Sequence, residues 1–404
     1  AFTFGYTMSM AETALGRMTK KSPVGAFSAF GKGPGLSFGG WINAIIPILI
    51  VPYYSVIGGW VIKYLVEYLR GGGSALAQDG YFSGFISNGV SVELCFLAFT
   101  LFTLAIIFAG VRNGVERVSK CMMPVLAVLS VIIAVYSVTR PGALAGVKYF
   151  LVPNLDNFSW MTVVSAMGQM FYSMSIAMGI LITFGSYMKK DVSIEDSTTN
   201  VEIFDTAIAI MAGLMIIPAV FAFSGGDPDT LQAGPALMFI TIPKVFDSMG
   251  MGTVVGVLFF VLVLFAAVTS SIALTESAVS TFEDELGWKR HKSTLLIGVI
   301  MVALGSLSAL GYGPLGEVTV FGMQFLDLFD FLTNSVMMPI AAIAICLLVS
   351  RVIGVEKIEE EVTQEGGRFR RKAIFNFMIR YLCPLFAAII LVSSVANALG
   401  WIKM

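Results

Sequence analysis

The chain has 404 residues, 57% of them hydrophobic and only 13% charged, with a mean hydropathy of +0.85, whereas a soluble domain carries about a quarter charged residues. This is the composition of an integral membrane protein, and it leaves no length for a large extramembrane catalytic domain. With 25 Lys and Arg against 26 Asp and Glu there is no clustered basic face for a nucleic acid, and Cys95, Cys121, Cys346 and Cys383 lack the paired spacing of a disulfide framework or zinc site.

A membrane-spanning helix needs about 20 apolar residues. In chain order, apolar runs between breakers predict a partial segment at 1–16 and full ones at 36–68, 93–111, 118–139, 158–187, 200–224, 251–284, 293–312, 318–350 and 373–402. The opening Ala1-Phe2-Thr3-Phe4-Gly5-Tyr6 has no charged flank and no small-residue cleavage site, so it is not a signal peptide. It reads as part of a helix whose beginning is expected upstream. Lys and Arg set the orientation, because they concentrate in cytoplasmic loops. If 1–16 runs inward, eighteen of the 25 fall on one side, in groups around Arg17, Arg112, Lys189, Lys289 and Arg351 to Lys372. Lys63, Arg70, Arg140, Lys148, Lys244 and Lys403 fall on the other, Arg380 lies inside the last segment, and the C-terminus is expected to be extracytoplasmic. Segments 251–284 and 318–350 exceed the spanning length and must tilt or project.

Gly35-Leu36-Ser37-Phe38-Gly39 matches the G-x-S-x-G nucleophile elbow, which needs a strand-turn-helix setting and a histidine partner. The sole histidine, His291, sits in the cytoplasmic run Lys289-Arg290-His291-Lys292. A loop entering a helix is the simpler reading, and no hydrolase or metalloprotease is indicated.

The informative residues are polar ones at membrane depth. A charge at the bilayer centre costs about 2.5–3.5 kcal/mol on insertion scales, so an intramembrane carboxylate points to function by default. Glu12, Asp205, Asp327 and Asp330 stand out; for the last three a shallow, wet position is the alternative. Val51-Pro52-Tyr53-Tyr54 places a proline and two phenols mid-segment, where a hydroxyl needs a partner. Gly168 to Gly179, GQMFYSMSIAMG, is too polar and too rich in small residues for mid-membrane. A broken helix lining an enclosed cavity is expected, the alternative being an intact helix whose serines bond back to the preceding turn. In Ala266-Ala267-Val268-Thr269-Ser270-Ser271, residues three or four apart share a face. The Ala266 carbonyl and the Thr269 and Ser270 hydroxyls can therefore converge as hard oxygens suited to Na⁺, unless they only let helices pack closely.

These residues resemble the neurotransmitter:sodium symporter family, in its bacterial amino acid branch, over essentially the whole chain. Glu12-Thr13-Ala14-Leu15-Gly16-Arg17 is similar to the end of the family's second helix, Tyr53-Tyr54 to its third, and Gly168 to Gly179 to its unwound sixth. Gly234-Pro235-Ala236-Leu237-Met238-Phe239 through Phe246 resembles the fourth extracellular loop. Thr269-Ser270-Ser271 and Phe282-Glu283-Asp284-Glu285 resemble the eighth helix and its cytoplasmic end. The bacterial leucine transporter of this family is a standard case of inverted repeats with broken helices at the bilayer midplane.

The resemblance implies an all-α, leucine-transporter-like inverted-repeat fold in one transmembrane domain, with 1–16 as part of the second helix, 158–350 as the second repeat and 373–402 as an extra C-terminal helix. The first helix is missing from this sequence, and restoring it would give an eleven-helix protein in the bacterial inner membrane. Carried over by residue, Tyr54 is expected to bond the substrate carboxylate, and Ser175, Met178 and Leu274 to line the side-chain pocket. Tyr172 is expected to cover that pocket and Asp330 to supply the acidic half of an outer gate. Ser173 and Asp205 are expected at a first sodium, and Ala266, Thr269 and Ser270 at a second; both sites draw further ligands from the first helix. The expected function is sodium-coupled import of a neutral, hydrophobic or aromatic amino acid without chloride. The alternative is a transporter-fold receptor or regulator, or a transport-incompetent fragment; no enzyme activity is expected.

Overall fold

The computed structural model describes residues 1–155, 158–232, 234–398 and 401. Among them the only strand-like pairing is a bridge between Val320 and Met323. The principal helices are α1 (Phe4–Thr19), α2 (Pro23–Ser28), α3 (Pro34–Leu69), α4 (Gly89–Phe108), α5 (Val111–Val138), α6 (Trp160–Ser173) and α7 (Ile180–Tyr187). They continue with α8 (Ile194–Ser224), α9 (Gly252–Leu286), α10 (Arg290–Leu310), α11 (Phe325–Ile353), α12 (Val355–Val362) and α13 (Lys372–Ala398). Eight of these, α3, α4, α5, α8, α9, α10, α11 and α13, are long and apolar enough to cross a membrane. The predicted segment 158–187 is divided into α6 and α7, as expected of a broken helix. The last residues of 373–402, 399, 400 and 402, and Lys403, lie outside the described residues.

Helix ends depart from the apolar runs where capping decides. α4 starts before the predicted 93 because the Asn88 side chain accepts the Ser91 N–H at 3.1 Å, and the Glu93 carboxylate that interrupts the run accepts a bond from Ser306 at 2.5 Å. α8 starts at 194, ahead of the predicted 200, because Ser193 caps it at the Asp196 N–H, with Glu195 and Asp196 in a first turn where the helix dipole favours anions. α11 starts at 325, after the predicted 318. Val320 and Met323 exchange backbone bonds of 3.0 Å across a turn whose corner residues, Phe321 and Gly322, have φ of 53° and 77°. Directly after Asp330, α11 winds wider over Phe331–Met337, a distortion that recurs at functional sites.

The centre of the molecule is α3 packed along α9, with α4 and α10 against α3. Its outer half is filled by Trp60, Tyr64, Phe239 and Phe260, with ring centroids 5.0–6.3 Å apart and the Tyr64 hydroxyl bonded to the Phe239 carbonyl at 2.8 Å. The outward faces of α4 and α5 expose Leu94, Leu101, Val128, Val131 and Val135, the surface a bilayer requires. α1 lies along α7 and α8. It approaches α7 so closely that a Cβ at Gly16 would stand 2.0 Å from the Ile182 carbonyl oxygen and one at Gly185 2.5 Å from that of Thr13.

Candidate functional site

Between α6 and α7 the backbone leaves the helix. Ser175, Ala177 and Gly179 have φ of 54°, 57° and 71°, a left-handed region that non-glycine residues adopt only where surroundings impose it. Gly179 is also sterically required, since a Cβ there would meet the Asn43 carbonyl at 2.7 Å. The imposing group is Glu12. Fully buried in α1, it accepts the Ala177 N–H on Oε1 at 2.7 Å, while Oε2 has no partner among the described residues. The carboxylate that sequence places at membrane depth thus holds the break open.

Ser173, at the end of α6, does not bond back to its own helix. Its hydroxyl donates to Asp205 Oδ1 of α8 at 2.5 Å, so the two residues assigned to one sodium by resemblance are neighbours, with Ser173 exposed and Asp205 half-buried. On α9, Thr269 is buried and its hydroxyl donates to the Ala266 and Phe265 carbonyls at 3.0 Å each. Ser270 is a hydrogen-bond partner of the Tyr54 phenol of α3. Of the three oxygens expected to converge, Ala266 O and Thr269 Oγ1 meet directly. Met178 and Leu274 are buried and Ser175 is half-buried.

Outside this level lies a cavity of about 520 Å³ lined by Tyr53, Gln169, Tyr172, Asp327, Asp330 and Asn334, among others. Tyr172 is a hydrogen-bond partner of Tyr53. The Tyr53 hydroxyl donates to Asp330 Oδ1 at 3.2 Å and lies 3.2 Å from Thr333 Oγ1. Asn334 donates to the same carboxylate at 2.5 Å, and Asp327 accepts from Tyr312 at 3.1 Å. Both aspartates are exposed at the mouth. Sequence reading singles out Tyr54 of the tyrosine pair, whereas the structure gives Tyr53 the link to Asp330.

On the cytoplasmic side sits a group that sequence reading passed over. Glu276 of α9, with no exposed side-chain surface, takes both terminal nitrogens of Arg290, at 3.1 and 2.5 Å, and the Tyr187 hydroxyl at 2.8 Å. Arg290 also donates to the Ile107 carbonyl at 2.9 Å. The membrane-cost argument that selects Asp205 applies equally to Glu276, whose carboxylate stands alone between residues 251 and 282.

Residues 83–401 match the sequence family described as the sodium:neurotransmitter symporter family. The chain belongs to that family. It is 33% identical over 394 residues to an uncharacterized sodium-dependent transporter, YhdH, of Bacillus subtilis, covering 96% of this chain and 86% of that one. It is 29% identical to an uncharacterized sodium-dependent transporter of Haemophilus influenzae, covering 96% and 87%. The sodium- and chloride-dependent GABA transporter 2 of Macaca fascicularis is 25% identical, over 95% of this chain and 70% of that one. The solved structure of MhsT in complex with L-phenylalanine superposes with a TM-score of 0.85 at 32% identity, covering 97% of this chain and 88% of that one. The symporter is therefore a multi-pass membrane protein with the leucine-transporter fold, a sodium-dependent secondary transporter and not an enzyme.

Proposed function

We propose that this symporter imports a neutral, hydrophobic or aromatic amino acid across the bacterial inner membrane by alternating access, driven by sodium. The observation that carries the reading is the left-handed break at 174–179, held by Glu12 between an outer cavity and a cytoplasmic ion pair. The N–H groups of Met174 to Ala177 are already bonded, to Met170, Tyr172, Phe171 and Glu12, so the carbonyl oxygens of the break are the groups that an ammonium and its accompanying cations can use where water is excluded. Residues 158–350 form the second inverted repeat and 373–402 an extra helix in this reading.

Tyr54 bonds the substrate carboxylate, Ser175, Met178 and Leu274 surround its side chain, and Tyr172 and Asp330 close it from outside. Ser173 and Asp205 ligate one sodium; Ala266, Thr269 and Ser270 ligate another. Met178 is flexible and polarizable, suited to a variable apolar side chain, and no charged side chain belongs to this wall. L-phenylalanine in the MhsT complex agrees with that chemistry. Radiolabelled phenylalanine or leucine uptake by the full-length protein in proteoliposomes should require an inward sodium gradient. Uptake indifferent to sodium, or lysine or glutamate outcompeting both substrates, overturns the proposal.

A further inference from the structure

At Gly16 and Gly185 the backbones of α1 and α7 touch without intervening side chains, and Glu12 pins α1 to the break at Ala177. α1 and α7 are therefore one body, and this body carries one wall of the site. Its cytoplasmic end is Arg17. The Arg17 Nε donates to Glu361 Oε1 at 2.6 Å, one terminal nitrogen donates to the Glu361 carbonyl, and the other donates to Val192 O at 2.7 Å, in the turn between α7 and α8. The two side chains are 1% and 6% exposed, and Gln364 satisfies the second Glu361 oxygen at 3.0 Å. Glu361 belongs to α12, which joins α11 to α13, two helices packed on each other.

A second link runs parallel to the first. Arg371, just before α13, pairs at 2.9 Å with Glu202 of α8, whose side chain is fully buried, and its guanidinium lies 4.2 Å from the Tyr6 ring centre. Next to it the Arg370 N–H donates to Glu195 at 2.6 Å. The cytoplasmic segment 355–372 is thus bonded to α1 and α8 by two ion pairs with buried partners.

We propose that Arg17 and Glu361, backed by Arg371 and Glu202, are positioning residues that lock the pathway closed toward the cytoplasm and must part for release. The proposal rests on the family's transport activity and extends the reading above. Alternating access is largely the rocking of one helix group against another around the site, and these pairs tie the body of α1 and α7, with α8, to the segment that joins α11 and α13. A dry ion pair with every oxygen and nitrogen satisfied has no half-open form. Separating it leaves uncompensated buried charges until water enters, so the lock has two states. Motion of the break reaches it through α7 and the turn at Val192.

The test reads accessibility without uptake, so it stands apart from the choice of substrate. In full-length protein with Cys95→Ala and Cys121→Ser, a reporter Ser197→Cys is placed beside a small cavity between α1, α7 and α8. Inside-out vesicles are treated with a membrane-impermeant maleimide. Glu361→Gln should raise the modification rate about tenfold, as expected when one closed state loses its buried charge partner. Arg371→Gln should raise it less, and Glu361→Asp should restore most of the closure. If Glu361→Gln yields no monodisperse protein, Arg17→Lys, which keeps the charge and loses the fork, takes its place with the same expected direction. Unchanged rates in Arg371→Gln and in either of these variants overturn the lock. Raised rates in a protein that takes up no neutral amino acid would support the lock and refute the substrate assignment.

Discussion

The two closures proposed for this symporter are built from different chemistry. The outer one is phenols on carboxylates, Tyr53 on Asp330 and Tyr312 on Asp327, at the mouth of a cavity where both aspartates are exposed. The cytoplasmic one is dry, with Glu276 fully buried under Arg290 and Arg17 buried on Glu361. A hydrogen bond that can be exchanged for water contributes about 1 kcal/mol net, whereas removing one partner of a buried ion pair costs about 3–5 kcal/mol. The outer contacts are therefore neutral donors on carboxylates, whereas the cytoplasmic ones are buried charge pairs that tolerate loss of a partner poorly. Such an asymmetry agrees with the import proposed above.

The largest expected effect is on the dry side. Glu276→Ala removes the buried carboxylate under Arg290, leaving that guanidinium only the Glu283 carboxylate at 3.6 Å, and should lower the stability of the purified protein by about 3 kcal/mol, with loss of uptake. Thermal unfolding in detergent measures the first, and an unchanged midpoint would remove the basis of the comparison. Next is Glu12→Ala, which strands the Ala177 N–H at a cost of about 1–3 kcal/mol. Sodium-dependent substrate binding should weaken roughly tenfold or more, while Glu12→Gln, which keeps an acceptor, should bind better than the alanine variant. Equal losses in both would show that charge, not the bond to Ala177, is what the break needs.

Ser173→Ala and Thr269→Ala each remove an oxygen that apolar surroundings cannot replace. Each should raise the sodium concentration for half-maximal binding several-fold, read by substrate binding across a sodium titration, and an unshifted midpoint would reject the assigned ligand. On the outer side, Tyr53→Phe removes the neutral hydroxyl that donates to Asp330, a hydrogen bond worth about 1 kcal/mol. Uptake should persist at a moderately changed rate, and a loss as severe as that of Glu276→Ala would erase the contrast between the closures. The smallest effect expected is none at all. Replacing chloride with gluconate should leave uptake unchanged, because Asp205 brings its own negative charge beside Ser173, and Asp205→Asn should reduce uptake or make it chloride-sensitive. Collapse of wild-type uptake without chloride would refute that role.

Much of this was readable in the amino-acid order because a bilayer forces it. Apolar runs have to become helices, so most span ends lie within a few residues of the predicted ones; α5 is an exception, starting at Val111 instead of 118 through the charged, wider turn Val111–Glu116 that apolarity does not reveal. The break was visible because two serines and flanking glycines are too polar and small for an unbroken span. What could not be read were the partners. Tyr53 and Tyr54 are adjacent in sequence and about 100° apart around a helix, and only the packing of α3 on α11 shows which one reaches Asp330. Glu12 was flagged by its burial cost, but its acceptor role depends on a backbone turn 165 residues away. Arg17 and Glu361 are separated by 344 positions, each lying beside cytoplasmic charge where an exposed side chain would be unremarkable.

The glycine contact between α1 and α7 also makes a lever. With no side chains between them to deform, a tilt of one helix is inherited by the other. α7 has eight residues, a length of about 12 Å, so a tilt of about 10° at the break displaces its far end by roughly 2 Å. Hydrogen bonds fail over a stretch smaller than that. An ion or substrate that straightens the break by about 10° can therefore be felt at Val192 as an all-or-none event, with the arm too short and too stiff to absorb it.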